Sequence, residues 1–191
     1  MTIKKYYLFA LSVLAISCKT KAQDIQKVQL SDTKATTETK NLFQNLNKLK
    51  EKGFMFGHQD DLAYGVNWKY EAGRSDIKDV TGDYPAIYGW DLGGLENNSE
   101  NNLDGVPFKK MKQYIKDVYD RGGVNTISWH QNNPLTGKDS WDTTPNSLVS
   151  VLPNGEKHEK FNEWLDKSAK FFLSLKGSDG KLLSLIHISE P

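Results

Sequence analysis

Cysteine is almost absent from this chain of 191 residues, which contains Cys18 and no other. A single cysteine excludes an intramolecular disulfide. The length is nevertheless enough for one ordinary domain with a sizeable core. We therefore expect a domain that is held together by packing.

A large net charge of one sign is also absent, because 25 Lys and Arg residues are balanced by 24 Asp and Glu residues and the net charge is only +1. Such a balance leaves no basic footprint for DNA or RNA, so no nucleic-acid partner is expected. Hydrophobic residues make up 37% of the chain and charged residues 26%, which favours a folded globular protein over a disordered one.

A hydrophobic run near the N-terminus, residues 6–16, is too short to span a bilayer comfortably. Lys4 and Lys5 precede the run, and Ser17 and Cys18 follow it. A positive segment followed by a short apolar run is typical of an export signal. We expect residues 1–23 to be this signal and residues 24–39, which are polar, to be a tether.

Two ways of processing the signal remain open. Cys18 directly after the apolar run resembles a bacterial lipobox, in which the cysteine is lipidated and becomes the first residue of the mature protein, although Ala15 stands where Leu is commonest. The alternative is ordinary cleavage after Ala22. Both predict an exported bacterial protein, either a lipoprotein of the outer membrane or cell surface, or a secreted one. A lipid anchor at Cys18 would be the membrane contact.

Helical and strand patterns alternate along the rest of the chain, from Thr37 onward. Apolar spacing predicts helices near residues 42–49, 76–80, 107–119 and 161–175. Short apolar runs predict strands at residues 54–56, 85–90 and 124–129 and the start of a fourth strand within residues 181–188. Strands that alternate with helices form a parallel sheet with right-handed crossovers.

The choice within the α/β class is between a doubly wound sheet and a (β/α)8 TIM barrel. No glycine-rich phosphate fingerprint follows the first strand, which weakens the doubly wound, nucleotide-binding alternative. Three successive strands instead end in polar and aromatic residues, which a barrel would gather on the face that carries active sites. A complete barrel needs about 250 residues. Residues 40–183 are therefore predicted to form an incomplete barrel of about three to four βα units.

The predicted strand ends supply the residue types of a carbohydrate site. His58 follows the first strand, Trp90, Asp91 and Glu96 the second, and His130 the third. Sugar hydroxyls need polar partners, and sugar faces need flat apolar platforms. Each residue also has a simpler structural interpretation, since a histidine often makes a structural hydrogen bond and Asp91 can bond to backbone amides of a turn.

A metal site is the competing interpretation of the same residues. His58, Asp60, Asp91 and His130 could converge as nitrogen and oxygen ligands, as in a metal-dependent hydrolase or deacetylase. The sequence has no paired-histidine motif, and the ligand spacing is not diagnostic. We expect neither a metal nor another cofactor.

Taken in series, the motifs resemble glycoside hydrolase family 26 from about Leu42 to Lys181. They include Phe-Gly-His-Gln-Asp-Asp at 56–61, Gly-Arg-Ser-Asp at 73–76, Trp-Asp-Leu-Gly-Gly-Leu-Glu at 90–96, Ser-Trp-His at 128–130, Asp-Ser-Trp-Asp at 139–142 and Lys-His-Glu-Lys-Phe at 157–161. The resemblance implies a (β/α)8 barrel and a retaining endo-β-1,4-mannanase that acts on β-mannan. Other β-linked polysaccharides remain alternatives, because some members act on other β-glucans or on xylans.

The resemblance also implies roles for single residues. His130 matches the histidine of the family's Trp-His motif, expected near the cleaved sugar, and Trp141 matches a loop tryptophan suited to stacking on it. His58, Trp90, Asp91 and Glu96 lie at motif positions that line the same cleft and complete the predicted substrate-binding set.

Catalytic residues are not assigned in this chain. In the family the acid/base glutamate follows strand four in an Arg-Pro-x-His-Glu motif, and the nucleophile glutamate follows strand seven. Neither motif is present, and residues 184–191 depart from the family pattern, so we expect them to be a non-native tail and the 191-residue chain to be inactive. The alternative from another class is a non-catalytic glycan-binding lipoprotein.

Overall fold

The computed structural model describes residues 30, 32–183 and 186–187. Cys18 and the rest of the predicted signal lie outside the described residues, as do residues 184, 185 and 188–191 of the predicted tail. The chain divides into two units, Met1–Lys34 and Ala35–Pro191. In the first unit the Lys34 amide donates a hydrogen bond of 2.7 Å to Asp32 Oδ1. The helices and strands given below belong to the second unit.

Helices and strands alternate through the second unit. The helices are α1 (Thr37–Leu49), α2 (Asp76–Thr81), α3 (Phe108–Asp120), α4 (Ser147–Val151) and α5 (His158–Leu173), with a 3-10 turn at Leu95–Asn97. The strands are β1 (Gly57–Gln59), β2 (Tyr64–Gly65), β3 (Trp68–Lys69), β4 (Ile87–Asp91), β5 (Val124–Ser128) and β6 (Ile186–His187). The short pair β2–β3 and helix α4 lie in segments for which the sequence predicted no element.

The main sheet is parallel and has the strand order β1-β4-β5-β6. Apart from the separate pair β2–β3, each strand therefore pairs with the next strand of the same sheet along the chain, and the order does not reverse in the described part of the chain. A doubly wound sheet contains such a reversal, whereas a barrel adds its strands in sequence. The structure confirms the α/β class and its parallel sheet.

Local signals set the helix ends. Thr36 precedes α1, and its side chain accepts a hydrogen bond of 3.2 Å from the amide of Thr39. Ser75 does the same for α2 through the amide of Lys78, at 3.1 Å. Gly82 ends α2 with a φ of 84°, a backbone conformation that glycine adopts without steric cost.

The first strand lies further along the chain than predicted. The first strand was predicted at residues 54–56, but β1 covers Gly57–Gln59 and Phe54 is 92% exposed. Its position is set by pairing with β4, since Gly57 lies opposite Ile87, and a short apolar run does not reveal that register. The fourth strand, β6, lies within residues 181–188, where its start was predicted. Its backbone pairs with Thr126 and Ile127 of β5, and its residues also belong to the predicted tail.

The core lies between the sheet and its helices. On α3, the side chains of Met111, Ile115 and Val118 follow the helical spacing and are buried. Trp90 of β4 stacks between Tyr88 and Tyr114, with ring centroids 6.5 Å and 6.0 Å away. This cluster joins α3 to the centre of the sheet.

The position of Trp90 corrects its predicted role in the cleft. Its side chain is 0% exposed, and its indole N–H donates a hydrogen bond of 2.8 Å to Asn125 Oδ1. Successive side chains of a strand point to opposite faces, so Trp90 faces the helices and Asp91 the other side. Trp90 has no surface on which a sugar could stack.

A search for membrane-spanning helices within the described residues finds none that is both long and apolar enough to cross a bilayer.

The contrast between two tryptophans gives a stability test. Replacing Trp90 by Ala should lower the free energy of unfolding by about 3–5 kcal/mol, because it empties a packed core position. Trp141 is 78% exposed, so Trp141→Ala should change the free energy of unfolding by less than about 0.5 kcal/mol. Urea unfolding followed by circular dichroism measures both. Equal losses would contradict the core position of Trp90.

Candidate functional site

The site begins where β4 and β5 end side by side. Asp91, the last residue of β4, lies opposite Ser128, the last residue of β5. The two following loops therefore start at the same edge of the sheet and touch. They approach so closely at Gly93 that a Cβ there would lie 2.8 Å from the carbonyl oxygen of His130 and 2.9 Å from Asp91 Oδ1.

Asp91 is 2% exposed and binds both loops through its carboxylate. Oδ1 accepts hydrogen bonds from the amides of Gly93 at 2.6 Å and His130 at 3.3 Å. Oδ2 lies 2.6 Å from Ser128 Oγ and 2.6 Å from His130 Nδ1. The carboxylate is thus surrounded by protein groups on both oxygens.

Glu96, in the 3-10 turn after β4, is 1% exposed and joins three segments. Oε1 accepts from the amide of Asn132 at 2.9 Å, and Oε2 accepts from the amide of Gly94 at 3.0 Å and the indole N–H of Trp129 at 3.1 Å. The ammonium group of Lys167, on α5, donates to the Glu96 carbonyl oxygen at 2.6 Å. Glu96 therefore holds the loop after β5 against the turn after β4.

The loop after His130 is fixed by its own polar side chains. Buried Asn133 donates hydrogen bonds to Ser147 Oγ at 2.7 Å and to the carbonyl oxygen of Asp142 at 3.2 Å. Hydrogen bonds from the hydroxyl groups of Thr136 and Thr144 lower the pKa of Asp142. This network gives the loop a defined shape.

Trp141 stands on this loop beside His130. The two ring centroids are 5.9 Å apart, and the rings are tilted by 38°. The His130 side chain is 33% exposed, so both rings are accessible. The structure thus places side by side the two residues for which the resemblance implies contacts with one sugar.

Two open cavities meet at these rings, with volumes of about 530 Å³ and 510 Å³. The larger cavity extends to apolar side chains, and the smaller one extends to the segment after β4. Both are lined by His130, Asn132, Ser140 and Trp141. Concave surfaces with a few directed polar groups are typical of small-molecule and sugar sites.

The structure does not place His58 beside Asp91 and His130. Its Nδ1 lies 3.1 Å from Oδ1 of buried Asp61. In the parallel register His58 lies opposite Tyr88, and Tyr88 is on the face of β4 opposite to Asp91. The His58 side chain therefore lies beside Asp61 and not beside Asp91.

The side chains that could have formed a metal site do not all lie together. Asp91 contacts His130, while His58 contacts Asp61. Within residues 32–183, no group of three or more His, Cys, Asp or Glu side chains is arranged to hold a metal ion.

Asp60 is a buried carboxyl to which the sequence assigned no role beyond possible metal ligation. Burial raises its pKa to about 7, and the negative charge of Asp104 adds to the shift. Tyr64 opposes the shift through a long hydrogen bond of 3.4 Å from its hydroxyl group to Asp60 Oδ2. A carboxyl that keeps its proton up to about neutral pH makes the stability of this region depend on pH.

Comparisons with known proteins agree on one family. The model of glycosyl hydrolase family 26 matches residues 31–183. A mannan endo-1,4-beta-mannosidase of Bifidobacterium adolescentis is 36% identical over 169 residues, which are 86% of this chain and 17% of that protein.

Solved structures agree with the sequence comparisons. A family 26 beta-mannanase of Bacteroides ovatus superposes with a TM-score of 0.78 at 46% identity, over 81% of this chain and 45% of that one. A modular endo-beta-1,4-mannanase of Cellulomonas fimi superposes with a TM-score of 0.71 at 33% identity, over 81% of this chain and 36% of that one. The chain thus spans less than half the length of each of these relatives, and its fold is the TIM-barrel-like α/β fold that they share.

The raised pKa of Asp60 predicts how stability changes with pH. Between pH 3.8 and about 7 the unfolded carboxyl is ionised while the folded one keeps its proton. The free energy of unfolding therefore falls as the pH rises through this window. Asp60→Asn should weaken this fall, which urea unfolding at about pH 5 and about pH 8 measures. The matched control is Asp166→Asn, at an exposed position of α5. This control variant should show the same fall in the free energy of unfolding with pH as the wild type. A fall as steep in Asp60→Asn as in the control would contradict the raised pKa.

Proposed function

The chain belongs to glycosyl hydrolase family 26, and from this premise we propose that the intact protein is a retaining endo-β-1,4-mannanase that cleaves β-mannan. The match of the family model over residues 31–183 is the observation that carries the proposal. The named relatives among the comparisons are mannanases, which favours β-mannan over other β-linked glycans as the substrate.

The geometry of the cleft supports a sugar-binding role. The exposed indole of Trp141 offers a flat apolar face for a pyranose ring. The imidazole of His130, beside it, offers a hydrogen-bonding nitrogen to a sugar hydroxyl. In our proposal these two side chains position the sugar next to the bond that is cleaved.

The chemical step needs two carboxyl groups about 5–5.5 Å apart. One carboxylate attacks the anomeric carbon while the other carboxylic acid protonates the departing glycosidic oxygen, and water then releases the glycosyl group from the enzyme. Asp91 and Glu96 do not suit these roles, because both are buried and already accept several hydrogen bonds. We propose that both catalytic glutamates lie outside this stretch of the protein and that the stretch alone does not hydrolyse mannan.

Hydrolysis of galactomannan tests this function. The full-length protein should release reducing sugar, and proton NMR of the first product should show retention of the anomeric configuration. The 191-residue chain should release none. Release of sugar with inversion would contradict the retaining mechanism. If the full-length protein releases no sugar from β-mannan, β-glucan or xylan, the proposal that it is an enzyme is contradicted. Glycan binding without cleavage would favour the alternative, a non-catalytic glycan-binding protein.

Substitution of Trp141 tests the stacking platform. Trp141→Ala in the full-length protein should raise the KM for mannan about tenfold, since the lost contact is worth roughly 1–1.5 kcal/mol. Phe54→Ala is the matched control, because it removes another highly exposed aromatic ring that lies before β1, at the other end of the sheet. An unchanged KM for Trp141→Ala would contradict the platform.

Export with a lipid anchor is the last part of the proposal, and it concerns residues outside the described ones. The mature protein should begin at Cys18 and carry acyl chains that anchor it to the cell envelope. Intact-mass spectrometry of protein extracted from the native host measures this, with Cys18→Ser as the control that cannot be lipidated. An unmodified mature protein that begins at Gln23 would contradict the anchor and favour secretion.

A further inference from the structure

We propose that Asp91 is a positioning residue, which fixes the tautomer and the ring orientation of His130 and does not contact the sugar. The proposal deepens the function proposed above and rests on it for its kinetic consequence. Its structural part, the protonation of one imidazole nitrogen, does not depend on catalysis.

The hydrogen bonds around Asp91 determine which atom donates. An ionised carboxylate has about four acceptor sites and no donor. Three donors contact this carboxylate, namely the amides of Gly93 and His130 on Oδ1 and the hydroxyl group of Ser128 on Oδ2. His130 Nδ1 lies 2.6 Å from Oδ2 as the fourth contact. Because a carboxylate oxygen can only accept, an unprotonated Nδ1 at this distance would repel it, and we infer that His130 Nδ1 carries a proton.

The protonated Nδ1 defines what the imidazole offers to a ligand. In the neutral ring, Nδ1–H leaves Nε2 as the nitrogen that accepts a hydrogen bond. The other tautomer would present an N–H in its place. Asp91 thereby selects whether His130 accepts from or donates to a sugar hydroxyl.

The same contacts restrict rotation of the ring. Asp91 binds His130 at two points, the backbone amide and Nδ1, so the side chain is tied back to its own backbone. Ser128 and Gly93 hold the carboxylate from its other sides. Asp91 itself is 2% exposed, which leaves no room for a sugar beside its oxygens.

The tautomer can be measured directly in the full-length protein. Long-range proton–nitrogen NMR of histidine-labelled protein distinguishes Nδ1–H from Nε2–H, and loss of the signals in His130→Ala assigns them to His130. Wild type should show Nδ1–H for His130. In Asp91→Asn the amide should turn its N–H toward Nδ1, and His130 should change to Nε2–H. Wild-type protein with Nε2–H would overturn the proposal, whatever the variants do.

Kinetics then test whether Asp91 acts through His130. Asp91→Asn in the full-length protein should lower kcat/KM for mannan by about 10- to 100-fold, the range seen when a group that orients a histidine is lost. When Asp91→Asn is added to His130→Ala, kcat/KM should not fall further, because Asp91 then has no imidazole to position. Asp166→Asn is the control of equal charge and should leave kcat/KM unchanged.

The outcomes separate the two proposals. Independent, multiplying losses in the double variant would show that Asp91 contacts substrate or acts generally on the fold, which overturns the positioning role. If the Asp91→Asn variant does not fold, the tautomer of His130 in the wild-type protein still tests the proposal. A protein that shows Nδ1–H but cleaves no glycan would refute the proposed mannanase and retain the role of Asp91 in orienting His130.

Discussion

Asp91 and Ser128 lie opposite each other in the parallel register of β4 and β5, and the contacts that organise the cleft follow from this pairing. The strand register brings the start of one loop against the start of the next. Gly93 leaves the space for this approach. A shift of one residue would turn each side chain of the strand to the other face and would separate Asp91 from His130.

Two buried carboxylates then hold the two loops together. Burial of a charge is costly unless donors replace the lost water. Asp91 and Glu96 receive these donors from backbone amides, a hydroxyl group, an imidazole and an indole. Hydrogen bonds to ionised groups are stronger and more directional than neutral ones. The expense of burying the charges is thus offset by contacts that orient His130 and Trp129.

This arrangement separates residues that support the cleft from residues that face it. Asp91 and Glu96 lie beneath the surface, while His130 and Trp141 lie at it. The supporting residues occur in the Trp-Asp-Leu-Gly-Gly-Leu-Glu segment after β4. The facing residues come from the longer loop after β5, which is held in shape by Asn133 and Asp142.

The sequence by itself determined the alternation of strands and helices, the parallel sheet, the family and the loops that carry the candidate site, because periodicity and motif spacing are local properties of the chain. It did not distinguish buried Trp90 from exposed Trp141, or the surroundings of His58 from those of His130, since each pair shares its residue type. Only the tertiary structure decided these cases. Burial and hydrogen-bond partners depend on which face a side chain takes and on which segment lies opposite, and the register of β1, β4 and β5 sets both.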